Sequence, residues 1–327
     1  MVANWQNDMA RPKADPDLNG LLVVDKPGLD ETPPAARLLT SHDVVQRVRR
    51  WSGQRRIGHT GTLDPFASGV LVLCLGQATR LVEYYQGHAK HYDAQVRLGI
   101  ATDTYDATGA VTAAETPPQL DAATLEAALA TLRGEQMQTP PAYSALKQDG
   151  EALYAKARRG EAVIVTPRPV TVYALTLTAW LPPDTLRLHV HCSAGTYVRS
   201  LAYDLGRGLG TQAHLARLRR TAAGGFEVSV AHSLEAVEQA AAAGHFSDLL
   251  LPVGTGLDLP TLTVDATAAL RLGQGQMVEL AQTHLAGPVL AQDNAGRCLG
   301  IVRAVGVERD GLWKADKWLA ASAAPSL

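Results

Sequence analysis

The stretch Val70 to Leu75, VLVLCL, is a continuous apolar run with nothing polar on either alternation. Such a strand cannot leave one face in water. It needs cover above and below, so the chain must build a central strand inside a layered α+β domain. Other segments supply the neighbours. KHYDAQVRLG alternates, with Tyr92, Ala94, Val96 and Leu98 on one face and His91, Asp93, Gln95 and Arg97 on the other. Val170–Leu181 and Thr185–Cys192 read as two more long alternating strands, and Gly20–Gly28 as a short buried strand ending in a Pro-Gly turn. Helices are expected from a Ser41 cap with Val44, Val45, Val48 and Trp51 on one side, over Ala78–Tyr85, from Asp121 to a stop at Gly134, from Thr196, and over Ser233–Ala243. From about Leu259 the chain changes to short β-like pieces rich in glycine. The expected organisation is a polar tail over 1–19, a sheet-cored main domain over 20–254 and a small β-rich domain over 255–327.

Charge is informative through its distribution. The net charge is −2, so there is no global excess of positive charge. Between Val44 and Leu63, however, lie Arg47, Arg49, Arg50, Arg55 and Arg56 without an acid, and Gly206–Gly225 carries Arg207, Arg217, Arg219 and Arg220 equally unopposed. Two basic spans in a near-neutral protein fit directed binding of a phosphate backbone, or else two solvated helix faces. Cys74, Cys192 and Cys298 are far apart and form no CxxC pair, which points to a reducing cytoplasm and to neither zinc nor a disulfide framework. No apolar run reaches the length of a membrane span.

Immediately before the apolar run stands RRIGHTGTLDPFASG, with Asp64 at its lip. Gly61 lets the backbone turn tightly, and Pro65 biases Asp64 toward an extended conformation. A carboxylate held there is either a turn residue bonding the Phe66 or Ala67 amide, or a nucleophile, base or metal ligand. No second acid or histidine stands at ligand spacing, so no metal is expected. Tyr92 on an apolar strand face is a core residue or a cleft residue. Arg199 is a surface arginine or the buried cation that keeps an active carboxylate ionised. His59 is a surface residue, or binds a phosphate or a base. Glycine-rich nucleotide loops, Ser-His-Asp order and HExxH are all missing from the sequence, which argues against a nucleotide cofactor and metallohydrolase chemistry.

GHTGTLDPFASGVLVLCLGQATRL closely resembles the catalytic motif of the bacterial tRNA pseudouridine-55 synthases, the TruB family. LLVVDKPG precedes it, and KHYDAQVRLGIATDTYDATG, PPAYSALKQDGEALYAKARRG, GTYVRSLAYDLG and AHLARLRRT follow in the family's order. The resemblance implies a mixed, largely antiparallel central sheet flanked by helices, and a C-terminal PUA-like domain. It implies an isomerase that turns uridine into pseudouridine in the tRNA T loop, with Asp64 as the nucleophile and neither cofactor nor metal. Tyr92 matches the tyrosine that stacks on the uracil and takes part in proton removal, and Arg199 the arginine paired with the catalytic Asp. His59 matches the residue that fills the gap left by the flipped base, and Leu218 the apolar platform against it. Tyr197, Arg55, Arg56, Lys147, Arg219 and Arg220 are the further expected RNA contacts. One departure is local: Leu29–Leu39 intervenes where the family runs directly into Thr/Ser-Ser. The competing reading is an RNA-binding or RNA-folding protein of the same fold, against which the intact Asp64, Tyr92 and Arg199 set argues. A guide-RNA branch carries a long basic extension not seen here, so the expected partner is the tRNA T-arm alone, bound by a monomer.

Overall fold

The computed structural model describes residues 18–143, 147–148, 151–152, 159, 165–280, 285, 287–305 and 311–319, with backbone alone at 147–148 and 151–152. The chain runs β1 (Gly20–Lys26), α1 (Ser41–Ser52), β2 (Ile57–His59), β3 (Ser68–Leu75), a 3-10 turn into α2 (Val82–Gln86), and β4 (Lys90–Leu98). The hairpin β5 (Ile100–Thr102) and β6 (Val111–Ala114) follows, then α3 (Ala122–Thr131), β7 (Gly134–Gln138) and the two-residue strands β8 (Lys147–Gln148) and β9 (Glu151–Ala152). Next come β10 (Arg168–Leu181), β11 (Thr185–Cys192), α4 (Val198–Gly208), β12 (Ala213–Ala223), β13 (Phe226–Glu227), β14 (His232–Ser233) and α5 (Leu234–Ala242).

One sheet organises these pieces in the order β14-β1-β3-β12-β4-β11-β10-β7, with β2 on β3 and β13 on β12. Only the β1–β14 and β3–β12 pairs are parallel. All of β3 is buried because its two faces feed two cores. Leu71, Leu73 and Leu75 pack with Val44, Val48 and Val237 from α1 and α5, while Val70, Val72 and Cys74 pack with Tyr85 and Phe226. A third core joins α3 and α4 to the inner face of β4, β10, β11 and β12 through Leu125, Leu129, Leu201, Val96 and Leu188. Burial of this much aliphatic surface, at roughly 25 cal/mol per Å², holds the layers together.

Local capping departs from expectation at two helices. Thr40, not Ser41, caps α1: its side chain accepts from the Asp43 amide while the Asp43 carboxylate takes the Thr40 amide. Ser41 is freed to bond the Leu63 backbone in both directions, which pins the helix start to the loop preceding Asp64. The cap position of α4 is Tyr197 rather than Thr196. Leu18 and Asn19, grouped by sequence with the tail, are packed against the domain: Leu18 is buried and Asn19 Oδ1 accepts from the Gln77 amide at 2.6 Å.

The C-terminal sheet contains β15 (Thr261–Thr263), β16 (Val278–Glu279), β17 (Pro288–Gln292), β18 (Cys298–Ala304) and β19 (Leu312–Trp318), ordered β15-β17-β18-β19-β16, with α6 (Ala266–Gly273) beside it. Leu262, Leu272, Val289, Val302 and Trp313 make its own core. Ile301 and Leu319 instead join the core beneath Val70 and Val72 of β3. Tyr84 Oη donates to Asp316 Oδ2 at 2.7 Å across the same seam. Among the described residues, no helix is long and apolar enough to cross a membrane.

Candidate active site

The loop between β2 and β3 is what presents Asp64. The Ala67 amide closes the turn on the Asp64 backbone carbonyl at 3.1 Å, so the carboxylate is not consumed as a turn acceptor. Lys26, fully buried at the end of β1, donates to the carbonyls of Pro27, Pro65 and Ala67 at 2.8, 3.0 and 2.7 Å. All three ammonium hydrogens are spent on backbone around Asp64, and burial pulls the Lys26 pKa down to about 8. Ser41 holds the loop from the other side through Leu63. Residues near and far in sequence thus fix one carboxylate.

That carboxylate faces a cleft of about 450 Å³ whose wall includes Thr60, Lys90, Tyr92, Tyr197, Leu218 and Arg220. Its side chain keeps 31% of its surface exposed, whereas the Arg199 side chain beside it keeps 5%. Arg199 Nη2 donates to Asp64 Oδ1 at 3.0 Å, and Nε lies 2.9 Å from Oδ2 outside hydrogen-bond alignment. The rest of the guanidinium is anchored on the Thr104 carbonyl at 3.0 Å, the Tyr143 carbonyl at 3.0 Å and Asp106 Oδ2 at 3.3 Å. Burial pushes the Asp64 carboxyl above the ordinary carboxylate range. Arg199 pulls it down, Asp106 pushes it up and Lys26 pulls it down.

Asp106 is the principal site residue that sequence reading missed. It stands in the β5–β6 connection, within the quoted DTYDATG, and its Oδ1 accepts from Thr104 Oγ1, the Thr108 amide and Thr108 Oγ1 at 2.9, 2.9 and 2.6 Å. Backbone bonds Leu215→Tyr105 and Ala107→Leu215 stitch this loop to β12. Tyr105, at φ 61, stacks on Tyr203 of α4 with ring centroids 4.2 Å apart. The acid-x-x-acid spacing was a visible signal, but nothing in it shows that the second acid points at an arginine about ninety residues later.

The expected residues are only partly brought together. Asp64, Tyr92, Tyr197, Arg199, Leu218 and Arg220 line one cleft. His59, at the end of β2, is half-buried just before the cleft wall begins, with Nδ1 buried and without a partner. Burial, Arg220 and His42 hold its imidazole below the ordinary value. Arg55 and Arg56 are exposed and stand outside the cleft. Lys147 belongs to β8, and its side chain lies outside the described residues.

The second basic span differs most from expectation, since Arg217, Arg219 and Arg220 lie on a strand rather than a helix face. Arg219 binds Asp25 through two bonds, at 3.1 and 2.7 Å, with Glu31 at 3.8 Å, and Arg217 pairs with Asp30. Arg220 is 2% exposed. Glu31 and Asp30 come from the 29–39 insertion, so the segment that interrupts the motif supplies an acid to Arg217 and a more distant one to Arg219. A Cβ at Gly69 (φ 105) would lie 2.2 Å from the Arg220 carbonyl oxygen, so the β3–β12 approach requires glycine there. Among the described residues, no group of three or more His, Cys, Asp or Glu side chains is arranged to hold a metal ion.

The fold is shared with a chain of a structure titled "Crystal Structure of a Cbf5-Nop10-Gar1 Complex", at a TM-score of 0.69 and 23% identity, covering 92% of this chain and 84% of that one. A chain in "Structure of H/ACA RNP bound to a substrate RNA containing 2'-deoxyuridine" is similar at a TM-score of 0.68 and 21% identity, covering 96% and 91%. The architecture is that of a pseudouridine synthase. Residues 49–198 match the family model "TruB family pseudouridylate synthase (N terminal domain)", and residues 199–258 match "tRNA pseudouridylate synthase B C-terminal domain". A protein of Xanthomonas campestris pv. campestris (strain 8004) named tRNA pseudouridine synthase B is 46% identical over 79% of this chain and 82% of its own length. One of the same name from Stutzerimonas stutzeri (strain A1501) is 42% identical over 87% and 91%. The chain belongs to the TruB family of pseudouridylate synthases.

Proposed function

We propose that this protein converts uridine to pseudouridine at position 55 in the T loop of tRNA, with Asp64 as the nucleophile. The observation that carries the reading is a carboxylate open to a cleft and gripped from behind by a buried arginine, with an aromatic and an apolar side chain on the same wall. The name of the relatives supports tRNA as the substrate class. A stacked uridine hides its reacting atoms, so it must be flipped into the cleft at a cost of a few kcal/mol. Asp64 attacks it, the C1′–N1 bond breaks, the uracil rotates, a C1′–C5 bond forms and the bond to Asp64 breaks, which frees the carboxylate. C5 gives up a proton and N1 gains one, so substrate and product are isomers and no co-reactant is consumed.

Arg199 keeps Asp64 ionised and aimed, offsetting the burial that favours the neutral acid. Tyr92 stacks on the base and takes part in removing the C5 proton, Leu218 supports the ring, and His59 fills the space the base vacates. Tyr197 closes the wall of the cleft, while Arg55, Arg56 and Lys147 meet phosphates. Residues 255–327 form a PUA-like unit that grips RNA rather than doing chemistry. The protein acts as a cytoplasmic monomer without a guide RNA.

The test is to incubate the purified protein alone with an unmodified T-arm stem-loop and map pseudouridine. Conversion at a single T-loop uridine is expected, and an unmodified product under saturating protein overturns the reading. Tight binding without conversion would establish the RNA-folding role instead.

A further inference from the structure

Lys90 opens β4 on the cleft wall, two residues before Tyr92, and has no part in the chemistry above. Only 7% of it is exposed. Its ammonium donates to the Gln86 carbonyl at 2.6 Å and to the His88 carbonyl, which ties it to the turn between α2 and β4. Lys26 spends three hydrogens on three carbonyls; Lys90 spends two, and its third has no partner among the described residues. Arg220 approaches the same place from β12. Its Nε donates to the Val70 carbonyl at 2.7 Å, Nη2 to the Gly61 carbonyl at 3.1 Å and Nη1 to the Thr62 carbonyl at 3.4 Å. That arginine therefore joins β3 to the loop that leads into Asp64.

The two cations meet at Gly61. A Cβ there would lie 3.8 Å from Arg220 Nη1 and 3.9 Å from Lys90 Cε, so the bare α-carbon leaves the approach to both open from the cleft. Among the described residues, neither cation has a carboxylate within ion-pair distance. A buried cation without a counter-ion is costly, and an anion that enters beside it removes the cost. Burial pulls the Lys90 pKa down to about 8, with Arg220 acting in the same direction, so the ammonium is still charged at neutral pH.

We infer that Lys90 seats a phosphodiester oxygen next to the target uridine, in the gap over Gly61. The inference rests on the reading of the cleft as the site of a flipped uridine. A flipped nucleotide carries its two flanking phosphates with it. While the uracil is detached and turning, the ribose must stay in place for C5 to meet C1′. A charge-assisted bond to a flanking phosphate holds the sugar without touching a reacting atom. Lys90 supplies the bond, and Arg220 adds charge beside it.

The test uses T-arm stem-loops in which one phosphate at a time is replaced by a neutral methylphosphonate: 5′ of the target uridine, 3′ of it, or at a distant stem position. Single-turnover conversion is followed across protein concentrations for full-length wild type, Lys90→Gln and Lys90→Arg, each checked for folding by circular dichroism. In wild type, one of the two flanking replacements should weaken half-saturation by about 10- to 100-fold, the size of a hydrogen bond to a charged group. The stem replacement should cost far less. Lys90→Gln should weaken binding of unmodified RNA by a similar factor and flatten the log–log salt dependence by about 0.7–0.9. The sensitive methylphosphonate should then cost nothing more, because both changes remove one contact. Lys90→Arg should keep most of the affinity. Losses that add in Lys90→Gln overturn the inference, as does a wild type indifferent to both flanking replacements, which decides the matter even if the variants fail to fold. Either result, in a wild type that converts unmodified RNA, leaves Lys90 as a staple of the α2–β4 turn and the proposed function standing. A wild type that converts no T-arm RNA overturns that function and the phosphate seat with it.

Discussion

The two arginine-rich spans are nearly interchangeable as sequence and differ sharply as structure. On α1 and the turn after it, Arg47, Arg50, Arg55 and Arg56 are exposed, and Arg49 reaches the Ile57 carbonyl at 3.1 Å. On β12, Arg217 and Arg219 are paired with acids from the β1 end and the insertion, and Arg220 is sealed inside. A helix with Val44, Val45 and Val48 turned to the core spreads its remaining side chains over a solvated arc. A strand has only two faces: β12 turns Arg220 toward a packed layer and leaves Arg217 and Arg219 partly exposed on the other face, where acids from β1 and the insertion reach them. An acid-free window in sequence therefore measures local charge and not free charge. The helix span is suited to grip, whereas the strand span serves positioning.

The strongest way to break this contrast is at the carboxylate that the buried side serves. Asp64→Asn keeps size and removes charge, and turnover should fall beyond ~10³-fold, about 4 kcal/mol of barrier, while RNA still binds. Turnover retained in a clean preparation would mean that the cleft is not where the chemistry happens. Asp106→Asn should cost roughly 10²-fold in kcat, because Arg199 loses an anchor and Asp64 its alignment. It also carries a sign. The reaction needs ionised Asp64, so activity fails as pH falls through a pKa raised by burial, and the charge on Asp106 raises that pKa further. In Asp106→Asn the acid limb should thus move to lower pH even as the plateau drops. An unchanged limb and plateau would reduce the β5–β6 loop to a cover.

On the exposed side, the double change Arg47→Gln with Arg50→Gln should raise KM several-fold. It should flatten the log–log salt dependence by about 0.7–0.9 per lost phosphate contact. A fall in kcat instead would erase the distinction between grip and positioning. The smallest effect belongs to the insertion. Asp30 and Arg217 are 52% and 47% exposed in their side chains, so Asp30→Asn with Glu31→Gln should change stability by less than about 1 kcal/mol in a denaturant titration. RNA affinity should rise slightly as Arg217 is released, and a drop would show that the insertion touches RNA itself.

The sequence by itself determined the central strand, the alternation of β4 and the long pair β10–β11, because burial on a pleated sheet writes its period directly into the residues. It also marked Asp64, Tyr92 and Arg199 as one constellation through motif order, and placed Leu218 with them. It did not mark Lys26 or Asp106, although both stand inside quoted motifs, since a lysine after a strand or an acid in a hairpin loop looks the same whether solvated or buried. Nor did it mark, for the same reason, that Arg219 and Arg220 have partners within the protein. Tertiary structure alone decided these residues. Charge compensation is set by distance through space, and the partners of Arg219, Arg220 and Arg199 lie roughly 90 to 190 residues away along the chain. Periodicity records which side of an element is dry; only the folded sheet determines which charges share that dry side.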